Sequence, residues 1–282
     1  MALRYPSAMS DADDSLPPTR TTGALAFALR LNGAACAYPS AHGADGRPGR
    51  GAMTGDIPVQ DEFDRLMRCV RACTICRDAP RYGRALPHDP RPVLQAQPSA
   101  RICIISQAPG ARAHASGRPY TDPSGVRLRN WLGLDEDAFY DARNLAIFGM
   151  GLCFPGNDAK GGDLPPRREC AETWHSRILA QLPEVELMLL IGQYAQRYVL
   201  DRRFTRDGVT ATVRQWRRIY EAAGAPRVMP LPHPSWRNSG WLDRHPWFEA
   251  ELLPVLRADI GGVLRREPTA FGRPTFRSPG PV

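Results

Sequence analysis

Residues 102–110, ICIISQAPG, constrain this chain more than any other stretch. Ile102, Cys103, Ile104 and Ile105 form a short apolar run rich in β-branched residues, the pattern of a buried strand. Ser106-Gln107-Ala108-Pro109-Gly110 follows at once. A buried strand that ends in a Pro/Gly turn brings backbone N–H groups and small side chains to the carboxyl edge of a parallel sheet. Ligands bind at that edge in open α/β folds.

The rest of the chain supplies the partners such a strand needs. Phe63, Leu66, Met67 and Val70 recur at helical spacing within 56–71. After the turn, Ser124 is placed to cap a helix whose apolar side is Val126, Leu128, Trp131 and Leu132, and Gly133 ends it. Further strands are expected at 145–148, 186–191 and 228–232. Helices are expected at 167–182, from Gly192 onward and at 246–256, and an amphipathic or irregular segment at 209–222. Strands alternating with helices predict a three-layer α/β/α domain with a short, mostly parallel four-stranded central sheet. The domain is expected over 56–260. It is preceded by a disordered extension, 1–55, rich in Ser, Pro, Gly, Ala and Thr, and followed by a loose tail, 261–282. Met53, just ahead of the organised sequence, is a candidate translation start.

Net charge is +8 with a pI near 9.4, which suits a polyanionic partner. Lys160 is the only lysine, so arginine carries nearly all of that charge, as a GC-rich coding bias would also produce. No apolar run is long enough to span a membrane, and the first residues lack the apolar core of a secretory signal.

Seven cysteines without a secretion signal argue against a disulfide scaffold. Cys73 and Cys76 form a C-x2-C pair, and Cys153 and Cys170 a wider second pair. Four thiolates from two distant segments suit a tetrahedral zinc or a 4Fe–4S cluster. The wide second pair favours iron–sulfur over a zinc ribbon, and plain buried thiols are the bland reading. Cys69, Cys73 and Cys76 also have radical-SAM spacing, but Cys69 falls on a helix ahead of any strand and too few βα units follow for that barrel.

Three features coincide in order: the SQAPG turn with Gly117-Arg118-Pro119-Tyr120 downstream, the four cysteines, and Leu231-Pro232-His233-Pro234-Ser235. Together they resemble the uracil-DNA glycosylase superfamily, in particular its iron–sulfur families, over roughly 63–256. The resemblance implies a monofunctional DNA glycosylase acting on uracil or a related base, a bacterial, cytoplasmic and nucleoid-associated protein, monomeric, with DNA as partner. It implies that Ala108, Pro109 and Gly110 hold the flipped base and that Tyr120 stacks on it. It further implies that His233, with Ser235 beside it, donates to the base oxygen, that Trp236 and Arg237 enter the DNA, and that Cys73, Cys76, Cys153 and Cys170 hold a 4Fe–4S cluster, zinc being the alternative.

The chain departs from the family pattern at three places. Gln107 stands where the family has Glu, so an amide, which orients water but is no base, replaces a carboxylate. Ala113-His114 replaces an acidic pair, and Gly149 stands where an Asn reads the uracil edge; Gln107 stays a catalytic candidate as a water-orienting amide, and His114 a substrate-binding candidate. Asp122 is then the nearest carboxylate for placing water. Uracil, hypoxanthine, xanthine and damaged pyrimidines all fit this pattern. A covalent or non-catalytic binder of damaged DNA on the same fold is the second reading, and a zinc-stabilised hydrolase or interaction module the third. Arg127 and Arg129 read as solvated helix positions or phosphate contacts.

Overall fold

The computed structural model describes residues 59–266. The expectations for 1–55, and for the tail beyond Arg266, lie outside the described residues.

Five strands form one sheet: β1 (Leu94–Gln95), β2 (Ile102–Ser106), β3 (Leu145–Gly149), β4 (Leu187–Ile191) and β5 (Arg227–Leu231). Their spatial order is β1-β3-β2-β4-β5, with β1 antiparallel to β3 and every other pairing parallel. The four parallel strands stand where continuous apolar runs predict them. All residues of β2, β3 and β4 are buried, as expected when both faces of a parallel sheet are covered. The sequence reading expected four strands and omitted β1. This two-residue edge strand lies in a Pro/Arg-rich loop, where no alternation can show. Tertiary contacts hold it: Gln95 Nε2 donates to the carbonyls of Phe139 (3.2 Å) and Leu145 (2.9 Å), and Val93 N–H donates to Leu152 O (2.7 Å).

The helices N-terminal to β3 are α1 (Val59–Arg71), α2 (Ile75–Asp78), α3 (Ala111–Ser116), α4 (Pro123–Leu132) and α5 (Glu136–Tyr140). After β3, α6 runs through Arg168–Cys170, a π-helical turn Ala171–His175, and Ser176–Ala180. The segment expected to be amphipathic or irregular resolves into two short helices, Gly208–Arg214 and Trp216–Ala222. The closing helix starts with a π turn, Phe248–Leu252, and continues as Leu253–Arg265, past the point where a loose tail was expected.

One face of the sheet, including Ile102, Ile104, Ile147, Leu189 and Met229, packs with Leu128, Trp131, Phe139, Phe248 and Leu256 from α4, α5 and the closing helix. On the other face, Phe148 meets His175 of α6 edge-on at 5.2 Å. The layers are therefore α/β/α, as predicted.

Of the two cap candidates for α4, Ser124 and the Asp122 that precedes Pro123, the structure uses the second. Asp122, not Ser124, is the N-cap: its Oδ1 accepts from Gly125 N–H at 3.2 Å and Pro123 takes the first helical position. Proline fits that position because its φ is preset and it has no N–H to satisfy, which moves the cap one residue upstream of it. Gly133 ends the helix at φ 69°, as expected.

Candidate active site

β2 has β3 on one side and β4 on the other, so the winding reverses there and a crevice opens at the carboxyl ends. The turn after β2 is pinned to the loop after β3. Met150 N–H donates to Ser106 O (2.8 Å) and Gly151 N–H to Gln107 O (2.9 Å). A cavity of about 380 Å³ occupies the crevice. It is lined by Ser106, Ala108, Pro109, Gly110, Tyr120, Asp122, Gly149, Asp163, His233 and Trp236, among others. The turn, the candidate stacking aromatic, the candidate carboxylate, the histidine and the candidate wedge therefore share one space, although they are spread over 131 positions of sequence.

His233 follows β5, and its ring is set by its neighbours. Ser235 N–H donates to His233 Nδ1 at 3.2 Å, and Asn238 Nδ2 donates to the His233 carbonyl at 2.8 Å. With Nδ1 accepting, the proton of the neutral ring sits on Nε2. Burial pulls the His233 pKa below its ordinary value, and the charges of Asp122 and Asp163 only partly oppose this. The side chain is thus a neutral Nε2–H donor. Ser235 does not line the cavity; it works through its backbone, and its Oγ accepts from Arg237 N–H (3.3 Å) to cap the following turn.

Tyr120 is the single non-glycine residue with positive φ among those described (57°), a costly backbone state for a bulky residue. Two contacts enforce it. Tyr140 Oη donates to the carbonyls of Pro119 (2.9 Å) and Tyr120 (3.0 Å). Gly125 leaves room for the Tyr120 carbonyl, because a Cβ there would lie 1.8 Å from that oxygen. Burial also raises the Tyr120 pKa, so the phenol stays neutral.

Gly149 has a steric explanation. A Cβ on it would stand 2.7 Å from Gly151 O and 2.9 Å from Ala108 Cα. The turn closes onto this position, so no side chain can project from it. His175 holds the same point from behind, its Nε2 lying 3.0 Å from Gly149 O.

Other expected site residues are placed differently. The Gln107 side chain is not among the cavity's lining. His114 is also absent from it and lies instead in tilted contact with His88 (4.8 Å between centroids) and Phe154 (5.9 Å). Trp236 stands at the rim, 70% exposed, and the Arg237 guanidinium lies 5.7 Å from its ring centre. Arg127 corrects the reading of a solvated position. It turns inward to donate to Ser235 O (2.9 Å) and Ser239 Oγ (3.1 Å), holding the loop that carries Trp236. Asp163 was not singled out from sequence, because nothing there distinguishes it from Asp158 in the same loop.

The four expected cysteines line a second, narrow cavity with Pro90, Pro92, Leu152 and Trp174. All four are buried thiols. Trp174 Nε1 donates to Cys73 Sγ at 3.3 Å. Burial raises the Cys73 thiol and pushes Cys153 up to about 12. A hydrogen bond with Cys170 lowers Cys76 and raises Cys170 itself, so Cys76 ionises first. The thiols stand around the cavity rather than converging on a point. Among the described residues no group of three or more His, Cys, Asp or Glu side chains is drawn together as a metal site.

The structure is thus a mostly parallel α/β sheet with a histidine-bearing cavity at its carboxyl edge, the edge where open α/β folds place their ligand crevices. The family model of the Uracil DNA glycosylase superfamily matches residues 94–257, more than half of the chain and nearly the whole of the sheet-bearing region. The chain belongs to that superfamily, whose members are in general DNA glycosylases. Among the described residues no helix is long and apolar enough to cross a membrane.

Proposed function

We propose that this protein is a monofunctional DNA glycosylase that hydrolyses the N-glycosidic bond of uracil or a related deaminated or damaged base. The observation that carries the reading is the cavity itself, where a neutral histidine donor of set tautomer, a carboxylate and a buttressed aromatic meet beside the β2 turn. A base reaches such a cavity only when extruded from the helix, at a cost of a few kcal/mol. Trp236, exposed at the rim, fills the gap the base leaves. The ring of Tyr120 stacks on the base, and the backbone at 108–110 lies along its edge.

As the bond from C1′ to the base nitrogen breaks, the electron pair leaves with the base and its oxygen gains charge. His233 Nε2–H donates there, a donor placed in advance in a partly dry site. Asp122 uses Oδ1 as a helix cap, which leaves Oδ2 to hold the water that adds to C1′. Lys160, the only lysine, is not among the cavity's lining, which favours simple hydrolysis over a Schiff-base lyase step. Gln107 has no place in this mechanism.

Cys73, Cys76, Cys153 and Cys170 would hold a 4Fe–4S cluster, with zinc the alternative. Four buried thiols around one closed cavity, one of them already accepting an N–H, are the donor chemistry such a group needs. Its contribution is to tie the segments carrying these residues together. Visible absorbance with iron and sulfide content, against a colourless protein containing zinc, separates the two.

The function is tested with single- and double-stranded oligonucleotides carrying uracil, hypoxanthine, xanthine or a damaged pyrimidine. Abasic sites are expected from at least one. A folded, metal-loaded protein inactive on all of them contradicts the reading. A complex with damaged DNA that survives denaturation instead supports the covalent-binder alternative, motivated by Gln107 and Gly149.

A further inference from the structure

A nucleotide that swings its base into the open cavity brings its flanking phosphates to the mouth. Two carboxylates, Asp122 and Asp163, line that cavity and His233 is neutral, so the lining repels a phosphate unless a cation offsets it. Arg112 is the only arginine or lysine in the lining. It is the second residue of α3 and is exposed. Its guanidinium makes no hydrogen bond or ion pair among the described residues.

Arg112 also stands at a border. With Asp122 and Pro123 it lines a second space, a groove of about 640 Å³ that continues from the cavity beside α4. The charged side chains that line only the groove are already engaged. Arg127 holds Ser235 O at 2.9 Å, Arg129 lies 5.9 Å from the Tyr140 ring centre, and Glu136 pairs with Arg118 at 3.4 Å. We propose that Arg112 binds a phosphate directly flanking the flipped nucleotide, and that the groove beside α4 carries the DNA strand away from the cavity on that side. A guanidinium suits this role, because its planar fork meets two phosphate oxygens at once. Arg112 is thus a positioning residue: it holds the backbone while His233 and Asp122 face the reacting atoms. This rests on the glycosylase reading.

The test is equilibrium binding by the full, metal-loaded chain to oligonucleotides with a tetrahydrofuran abasic site, in which each nearby phosphate is replaced in turn by a neutral methylphosphonate. Arg112→Ala is expected to weaken binding roughly tenfold. It should also lower the slope of log affinity against log salt by about 0.7 on a single strand or about 0.9 on duplex. The melting temperature should stay unchanged, which a structural role for the side chain would not allow. At one phosphate next to the site, methylphosphonate should weaken wild type by a similar factor and Arg112→Ala not at all, while at the others the two losses multiply. Arg112→Lys, which keeps the charge but not the fork, should keep the salt slope and recover part of the affinity, and it stands in if the Ala variant fails to fold. Losses that multiply at every phosphate, or wild-type affinity and salt slope in Arg112→Ala, overturn the assignment. Abasic-site formation by wild type is scored separately. Cleavage without the coupling removes the Arg112 contact alone, and coupling without cleavage of any lesion removes the glycosylase reading and leaves the phosphate contact standing. A wild type that binds no DNA overturns both.

Discussion

The two cavities of this protein are built on opposite principles. The site at the sheet edge is open, about 380 Å³, and assembled from backbone turns, an aromatic, two carboxylates and a histidine. The cysteine site is closed and almost entirely sulfur and apolar side chains, with no cysteine more than 9% exposed. One is wide and partly polar, the other narrow and apolar. A single run of chain serves both: Gly149 floors the first cavity, Cys153 enters the second, Asp163 returns to the first, Cys170 enters the second again, and His175 reaches back to Gly149 O. The loop that brings Asp163 to the first cavity is thus bounded by two cysteines of the second.

Breaking the closed site should have the largest effect, and on both cavities. Cys76→Ser with Cys170→Ser should lower stability by about 3 kcal/mol or more and reduce cleavage in step, as thermal melts and single-turnover rates would show. A rate that survives intact would separate the two regions. Next comes a change confined to the open site. Gly125→Ala puts a methyl onto the Tyr120 carbonyl and should cost about 2–3 kcal/mol with a roughly hundredfold loss of rate, while metal content stays normal.

Acid should act on the two histidines differently. His175 is held near 4 by burial, far below its ordinary 6.5. Because its folded pKa lies below the unfolded one, its stabilising contribution is whole above pH 6.5 and is lost as pH falls towards 4, on the order of 3 kcal/mol. Denaturant melts across that window measure it. His233 is likewise lowered, so the cleavage rate should stay level down to its ordinary 6.5 and fall only below it, when protonation of Nδ1 breaks the bond from Ser235 N–H. An acid limb at or above 6.5 would contradict a buried neutral donor. The smallest effect is expected at Arg127→Ala, which frees the Trp236 loop: lesion-DNA binding should weaken by about 1 kcal/mol with melting nearly unchanged.

Much of the fold was legible because β2, β3 and β4 are built on continuous apolar runs of strand length and β5 on a shorter one, Val228 to Leu231. β1 was not, since two residues carry no period. The cysteine grouping was legible from one C-x2-C pair and two later thiols. Of the open site, the placement of His233 and Tyr120 was legible, since both lie in motifs that flank strand ends and both line the cavity. Gly149 read as a lost side chain, and only the fold shows the turn occupying that side chain's space. Asp163 and Arg127 were hidden for the converse reason: a loop carboxylate and a helix arginine look solvated until the chain path turns one toward His233 and the other onto Ser235 O.

The central claim is that His233, as a neutral Nε2–H donor, supports the departing base. Its most direct test is the single-turnover rate of abasic-site formation by wild type and His233→Ala on the best lesion substrate, with lesion-DNA affinity measured in parallel. The account predicts a loss of about 10²–10³-fold in rate with affinity nearly unchanged. A variant that cleaves as fast as wild type would contradict it.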